Sequence, residues 1–443
     1  MANTIFAQCS APGKAGVAIF RISGDYALNS LSKLITHDYK LLEPRKLYLR
    51  KIYIPQKQQL IDEAMVVYFP GSASFTGEDS VEIYTHGSLA VIKLLNQALA
   101  SMDDLRIAEP GEFAKRAFLN GKMDLTAAEG LADLIDAETE LQHKQAISQL
   151  GGSLEKIYED WRKTILKLIS LMEAYIDFPD EDIPPSVINE VEEKIGHLIS
   201  AIKLHLDDNN RGERLRSGIR LAIIGKPNVG KSSLINHIMR RELAIVSNIA
   251  GTTRDIIEGY IDIGGYPIIL QDTAGINLTS RDLIEQKGIS KAWQAARDAD
   301  IKIVIIDATT DFADDIKIFG EIIDHNTIIL LNKIDLKPCV NLNRNVLQIS
   351  VKQSIGIEKL YDNIIKIAEK IAAPSDNAQI TRTRHRAQLE TAIENLSKFS
   401  INDDLVLATE DLRMTARAIS NITGKITVDE ILGEIFSSFC IGK

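Results

Sequence analysis

Cysteine is scarce in this chain: Cys9, Cys339 and Cys440 are its three, among 443 residues. Thiols so few and so far apart exclude a disulfide framework and a clustered zinc site. No uncharged apolar stretch is long enough to cross a bilayer. The amino terminus lacks the basic segment and apolar core of a secretion signal, its first cation being Lys14. An excess of base is missing too, because 51 Lys and Arg face 61 Asp and Glu, a formal charge of −10. General attraction to a polyanion is therefore excluded, and any nucleic-acid contact needs a local basic patch. Internal repeats and low-complexity tracts are absent. These absences predict a soluble protein of a reducing cytoplasm, with no membrane segment. What is present is an ordinary globular composition, 45% hydrophobic and 25% charged. At ~150 residues per domain the length suggests about three domains.

Residues 1–120 alternate short β-like runs (17–22, 64–69 and 81–84) with Pro12-Gly13, Pro70-Gly71 and Pro110-Gly111. That pattern predicts a compact α+β domain. Residues 121–216 turn helical. Ile157, Trp161, Ile165, Leu168 and Met172 recur at three- and four-residue steps, as do Val187, Val191, Ile195, Leu198, Ile202 and Leu206. The acidic stretch 177–185 between them matches no calcium loop and reads as a solvated turn. Across 217–372 strands alternate with helices. The runs 221–224, 268–271, 303–307 and 328–331 are nearly continuously apolar, as strands buried on both faces of a parallel sheet are. Helical periodicity returns over 373–443, with Leu389, Ile393, Leu396 and Phe399 on one face. The expected fold class is a multidomain chain, α+β followed by an α/β domain inserted into a discontinuous α-helical domain.

The sharpest signal begins at Gly225. Gly225-Lys226-Pro227-Asn228-Val229-Gly230-Lys231-Ser232, followed by Ser233, fits G-x-x-x-x-G-K-[ST] between an apolar strand and a helical run. Its glycines let backbone N–H groups close around phosphate oxygens, and the helix amino end adds positive potential. Lys231 is placed to reach the β- and γ-phosphates, and Ser232 to hold Mg²⁺. Downstream, Asp272-Thr273-Ala274-Gly275 ends a strand, with Asp272 near the metal and the Gly275 amide near the γ-phosphate. Gly251-Thr252-Thr253-Arg254 lies between, where a switch threonine belongs. Asn332-Lys333-Ile334-Asp335 ends another strand. Asp335 can accept from guanine N1–H and its 2-amino group together, whereas adenine offers neither donor. Each unmet buried group costs ~1–3 kcal/mol, so two give on the order of 10²–10⁴-fold preference for GTP over ATP. Ser350-Val351-Lys352 completes the guanine pocket. Four motifs in this order read as a P-loop GTPase domain. Ile276 stands where Ras-type enzymes place the glutamine that orients water, so hydrolysis must recruit another group.

With these motifs placed, the chain resembles the MnmE (TrmE) family of tRNA modification GTPases over essentially its whole length. Its closing Phe436-Ser437-Ser438-Phe439-Cys440-Ile441-Gly442-Lys443 is similar to the family's C-[IV]-G-K terminus. Arg21-Ile22-Ser23-Gly24, Phe75-Thr76-Gly77-Glu78-Asp79 and Pro110-Gly111-Glu112-Phe113 resemble its amino-terminal motifs. The resemblance implies an α+β dimerisation and folate-binding domain over 1–120, a helical domain split between 121–216 and 373–443, and a G domain over 217–372. It implies a homodimer, formed through the amino-terminal domain, that works with the flavoprotein MnmG on tRNA. Together they add a (carboxymethyl)aminomethyl-type group to carbon 5 of the wobble uridine, position 34. A tetrahydrofolate derivative, in 5-formyl or 5,10-methylene form, supplies the one-carbon unit, and GTP hydrolysis drives a conformational cycle.

Residue by residue, Arg21, Glu82, Lys122 and Lys443 match the family's folate-site positions. Cations there suit glutamyl carboxylates, and a carboxylate suits the pterin's N–H groups. The resemblance implies K⁺ ligands at Asn228, Ser247, Ile249 (through its carbonyl) and Thr252, the last three within Ser247-Asn248-Ile249-Ala250-Gly251-Thr252-Thr253. Thr253 matches the Mg²⁺-binding threonine. Glu285 matches the catalytic glutamate that orients water, across an alignment that needs an inserted residue after Gly275. Cys440 is placed by the resemblance beside the folate, with a catalytic or substrate-contacting role. Read from its neighbours Phe436, Phe439 and Ile441 alone, it is a buried small hydrophobe.

Basic clusters flank the inserted domain: Arg211, Arg214, Arg216 and Arg220, then Arg382, Arg384, His385 and Arg386. They either meet tRNA phosphates or serve as helix-end charges and interdomain ion pairs. Two rival readings stand beside the first, a regulatory GTPase of ribosome assembly without modification chemistry and a folate-binding scaffold with a vestigial GTPase. The amino-terminal and terminal signatures oppose the former, and the intact nucleotide motifs oppose the latter.

Overall fold

A computed structural model of the chain describes residues 4–36, 42–55, 57, 59–177, 184–241, 258–272, 293–337, 346–373, 378–400, 404–425, 429–437 and 439–442. It divides into two compact units, one of residues 1–132, 150–166 and 416–443, the other of 133–149 and 167–415.

The first unit is built on a six-stranded sheet of β1 (Thr4–Gln8), β2 (Ala15–Ser23), β3 (Tyr48–Tyr53), β4 (Leu60–Phe69), β5 (Ser80–Gly87) and β6 (Leu105–Ile107), in the order β3-β4-β5-β2-β1-β6. Pairing is antiparallel except between β1 and β6. The three runs read from the sequence lie within β2, β4 and β5. Strands β1, β3 and β6 are short or carry charges among their apolar residues, which hides them from pattern reading. Side chains alternate between faces: Ala18, Phe20 and Ile22 of β2 join Val81 and Ile83 of β5 in a core closed by Leu31 and Leu95. Those leucines come from helices Ala27–Leu34 and Leu89–Ala100, the second capped by Ser88 Oγ, which accepts from Val91 N at 3.2 Å. A second core under helix Glu112–Leu119 gathers Ala114, Leu125, Leu432, Phe436 and Phe439.

The second unit carries a six-stranded sheet of β7 (Ile219–Ile224), β8 (Glu258–Ile263), β9 (Tyr266–Asp272), β10 (Ile301–Asp307), β11 (Thr327–Asn332) and β12 (Val346–Gln348), in the order β12-β11-β10-β7-β9-β8. All pairs are parallel except the β8–β9 hairpin. All seven residues of β10 are buried, which is why its middle, residues 303–306, reads as an unbroken apolar run. The hairpin turns on Gly264 and Gly265, at φ 63° and 88°, the double positive φ that a two-residue turn of this hand requires. Helices Lys231–Arg241, Phe312–Phe319 and Ile357–Ala372 belong to this α/β part.

Helices Pro185–Leu206 and Thr383–Lys398 pack on each other. Val191, Ile195, Leu198 and Ile202 are buried as the spacing predicts. Along helix Ser153–Asp177 the buried stripe is Leu154, Tyr158, Ile165, Leu168 and Met172. Tyr158 takes the interior place expected for Trp161, whose ring lies half-buried with its centroid 5.8 Å from the tyrosine's. The chain enters and leaves the α/β part side by side, since a Cβ on Gly212 would lie 2.3 Å from the carbonyl oxygen of Ile380. That adjacency is what an inserted domain requires.

Candidate functional site

The phosphate loop and the motifs at 332–335 and 350–352 converge at the carboxyl ends of the parallel strands, where open α/β sheets bind ligands. Residues 225–230 run from β7 into helix Lys231–Arg241. Asn228 sits at φ 64° and Gly230 at φ 108°. A Cβ on Gly230 would lie 2.4 Å from Asn332 Nδ2, and one on Gly225 would lie 2.5 Å from the Ile305 carbonyl oxygen. Those two glycines therefore let the loop lie against β10 and β11. Val229 points inward at 4% exposure, while Ser232 and Ser233 open the helix on its exposed side. Lys231 is buried, and its Nζ donates to the carbonyls of Gly225 and Lys226 at 2.9 and 2.7 Å. The ammonium is thus held across the mouth of its own loop.

Asn332 joins three motifs. Its Nδ2 donates to the Val229 carbonyl at 2.8 Å, and its Oδ1 accepts from the buried Val351 amide at 3.1 Å. Lys333, at φ 67°, donates from Nζ to the Asn228 carbonyl at 2.8 Å and pairs with Asp307 Oδ2 at 2.5 Å. Burial alone would raise the Asp307 carboxyl. The bonds from Lys333 and Thr309 outweigh it and hold the group below the usual range. Ser350 Oγ donates to Asp335 Oδ1 at 2.7 Å and also accepts from the Gln353 amide at 3.2 Å. Asn228, Gly230, Ser233, Asn332, Lys333, Asp335, Ser350, Val351 and Lys352 all line one cleft of about 990 Å³. Sequence reasoning missed Asp307, whose signal is its place at the carboxyl end of the apolar run 303–306. It also missed Asp315, which pairs with Lys226 of the loop.

A second polar group forms on the first unit. Alternation in β2 and β5 sends Arg21, Glu82 and Tyr84 to the sheet face opposite the core, and antiparallel register sets Arg21 directly across from Glu82. Arg21 Nε donates to Glu82 Oε1 at 2.9 Å, and Tyr84 OH donates to Oε2 at 2.6 Å. Burial, then the glutamate, pushes the Tyr84 phenol up to about 12. The Arg21 guanidinium lies over the rings of Phe75 and Phe113, 5.3 and 5.5 Å from their centroids. Burial likewise raises the Cys9 thiol, against the lowering pull of Arg21. Tyr84, Phe75, Phe113 and Cys9 went unassigned in the sequence, although period-2 alternation was a signal for Tyr84.

The terminal segment meets this unit at the end of β1. Gly442 sits at φ 101°, and a Cβ there would fall 2.3 Å from the Gln8 carbonyl oxygen and 3.1 Å from Cys9 Cα. Ile441 bridges Pro110, and the Gly111 amide donates to the Cys440 carbonyl at 3.4 Å. Phe436 and Phe439 are buried, yet Cys440 is exposed, because the helix end turns the two rings into the core and leaves the next residue outside. The buried-hydrophobe reading of Cys440 is thereby corrected. Lys122 Nζ donates to the Ser72 carbonyl at 2.8 Å rather than to the Arg21–Glu82 pair. Ser247, Asn248, Ile249, Ala250, Gly251, Thr252, Thr253, Thr273, Ala274, Gly275, Glu285 and Lys443 lie outside the described residues, as does the Asp272 side chain.

Within the basic clusters, Arg214, Arg216, Arg382 and Arg386 pair with carboxylates of the same unit. Arg214 bonds Asp300 at 2.9 Å, Arg216 and Arg382 share Asp133 at 3.0 and 2.8 Å, and Arg386 bonds Asp208 at 2.6 Å and Glu213 at 3.3 Å. Two chain crossings packed side by side bring these four arginines together, and carboxylates neutralise them.

Two family models match: the GTP-binding protein TrmE N-terminus over residues 4–122 and the MnmE helical domain over residues 125–440. The tRNA modification GTPase MnmE of Rickettsia bellii (strain RML369-C) is 57% identical over 447 residues, 100% of both chains. That of Rickettsia rickettsii (strain Sheila Smith) is 56% identical over 446 residues, again 100% of both. Among solved structures, a tyrosine-to-alanine variant of Aquifex aeolicus Era bound to GDP and aluminium fluoride is 26% identical over 42% of this chain and 69% of its own, at a TM-score of 0.29. No helix among the described residues is long and apolar enough to cross a membrane. With full-length identity above half and models covering both ends, the chain belongs to the MnmE family of tRNA modification GTPases.

Proposed function

We propose that this protein hydrolyses GTP as part of the machinery that modifies carbon 5 of the wobble uridine, position 34, in tRNA. The observation that carries the nucleotide half is Asn332. Its one amide fixes the phosphate loop through Val229 and the base pocket through Val351, and so spaces a phosphate cradle from the Asp335 carboxylate. Lys231 and the helix amino end supply positive charge for the phosphates. The exposed Ser232 hydroxyl, in the first turn of that helix, suits Mg²⁺, with Asp272 and Thr253 as its further partners. Asn228, fixed at φ 64° with its carbonyl bonded by Lys333, suits the potassium position together with Ser247, Ile249 and Thr252. A monovalent cation there neutralises charge that an arginine finger neutralises in other GTPases. Glu285 is the residue proposed to orient water in place of the missing glutamine.

The modification half is supported by the tRNA modification GTPases to which this chain is more than half identical over its full length. The Arg21–Glu82 face suits a tetrahydrofolate derivative, since a guanidinium on two aromatic rings offers charge and stacking together. Lys122, Lys443 and the exposed Cys440 complete that proposed site. We assign residues 1–120 to the dimerising, folate-binding domain, 121–216 with 373–443 to the helical domain, and 217–372 to the G domain, in a cytoplasmic homodimer acting with MnmG. Mass spectrometry of wobble uridine in tRNA from a strain lacking this gene tests the reading. Loss of the carbon-5 group is expected. Unaltered uridines together with defective ribosome assembly would favour the regulatory GTPase instead.

A further inference from the structure

Three side chains brace helix Glu112–Leu119 and the turn after it against the loop at 70–78. Asn120 Nδ2 donates to the Thr76 carbonyl at 2.7 Å, and Lys122 Nζ to that of Ser72 at 2.8 Å. Arg116 is the third, and it is charged and only 8% exposed. Its Nη1 donates to both oxygens of Glu78, at 3.1 and 2.9 Å, and its Nη2 to Glu112 Oε1 at 3.0 Å. Glu112, equally buried, also accepts from Arg106 and from the Glu109 amide at 2.9 Å. Glu78 accepts from Ser23 Oγ at 2.9 Å. Burial would raise the Glu112 carboxyl, but its donors bring it below the usual range.

The place of this network says what it does. Phe75 lies on the turn that ends at Glu78, and Phe113 follows Glu112 on the helix. Those are the two rings beneath the Arg21 guanidinium. A buried ion network adds little net stability compared with apolar packing. A guanidinium forked to two carboxylates, however, fixes the elements that carry them in one geometry.

We propose that Arg116 is a positioning residue for the Arg21–Glu82 face, a clamp that sets the Phe75 turn against the Phe113 helix at the spacing that seats Arg21. This rests on reading that face as a tetrahydrofolate subsite. Calorimetric titration of the full chain with 5-formyltetrahydrofolate tests it in the unaltered protein, Arg21→Ala, Arg116→Lys and Arg116→Met, with thermal unfolding and GTP turnover measured on each. Absence of folate binding to the unaltered chain, or binding unchanged in Arg21→Ala, overturns the subsite and the clamp with it. Once Arg21→Ala abolishes binding, Arg116→Lys is expected to weaken it about tenfold with GTP turnover unchanged, because lysine keeps the charge but cannot fork. Arg116→Lys combined with Phe75→Leu is expected to lose less affinity than the sum of the two single losses, since both act through the seating of Arg21 on its rings. Normal affinity in folded Arg116→Lys overturns the clamp, even where its stability is lowered, and so do additive losses in the double variant. If Arg116→Met misfolds by stranding two carboxylates, Arg116→Met with Glu78→Gln removes one of them and carries the same expectation.

Discussion

Asp335 takes its place at the cleft wall from one neighbour, Ser350, whose hydroxyl donates to Oδ1 at 2.7 Å. Asp335→Asn keeps the shape but turns an acceptor into a donor toward guanine's N–H groups. GTP affinity is expected to fall on the order of 10²–10⁴-fold, and xanthosine triphosphate, with a 2-oxo group, to bind better. Titration with both nucleotides checks this, and unchanged GTP affinity would remove Asp335 from the base pocket. Asp124 shows the same sensitivity to surroundings. It caps helix Leu125–Asp136, accepting from Ala127 N at 2.8 Å, and burial pushes its carboxyl up to about 6 from an ordinary 3.8. Glu155 adds to the rise, and the bonds from Ala127 and Thr126 oppose it. Between those two values the folded state holds a proton that the unfolded chain has released, so stability falls as pH rises through that window. Asparagine caps as well without the charge. Asp124→Asn is expected to be neutral near pH 4 and stabilising by up to ~2 kcal/mol near pH 7. Urea unfolding at both pH values measures this, and destabilisation near pH 7 would contradict it.

Among the elements, the two crossings into the α/β part are held by Asp133, which accepts from Arg216 at 3.0 Å and Arg382 at 2.8 Å. Removing one partner from a half-buried pair is costly, because the cations left behind have lost water without regaining a counter-charge. Asp133→Asn is expected to destabilise the protein by ~1–3 kcal/mol. Substitutions of the two arginines then separate a structural role from RNA binding. If Arg216 and Arg382 serve the fold, Arg216→Ala and Arg382→Ala leave the salt dependence of tRNA binding unchanged. An arginine that neutralises a phosphate would instead lower the slope by ~0.7–0.9 when removed. Filter binding over a salt series reads that difference.

Across the whole molecule, the proposed nucleotide and folate chemistry belong to different compact units, the cleft to one and the Arg21 face with the terminal segment to the other. Their readouts should therefore dissociate. Replacing KCl by NaCl at equal ionic strength is expected to slow GTP hydrolysis severalfold while leaving folate affinity unchanged. Deleting residues 440–443 is expected to abolish uridine modification while leaving hydrolysis near normal. Equal rates in the two salts would remove potassium from Asn228, and full modification by the truncated chain would remove the terminus from the site.

Whatever depends on neighbours along the chain was legible before any fold was known. A phosphate loop is a glycine-rich turn between a strand and a helix, so its chemistry and conformation are set within eight residues. Strands β7, β10 and β11 were legible because burial on both faces leaves an apolar run at the middle or carboxyl end of each, and the long helices because a buried stripe repeats every three or four residues. Folding was needed to join what lies far apart along the chain. The register that sets Arg21 across from Glu82, the two rings beneath that arginine and the reach of Asn332 to Val229 each join residues separated by tens of positions. No local period encodes such a meeting. Charge was legible only as an inventory: Arg216 and Arg382 read as a basic patch until the fold brought Asp133 between them, and Cys440 read as buried until the helix end left it outside. Composition states which groups exist, and the path of the chain decides which of them water still reaches.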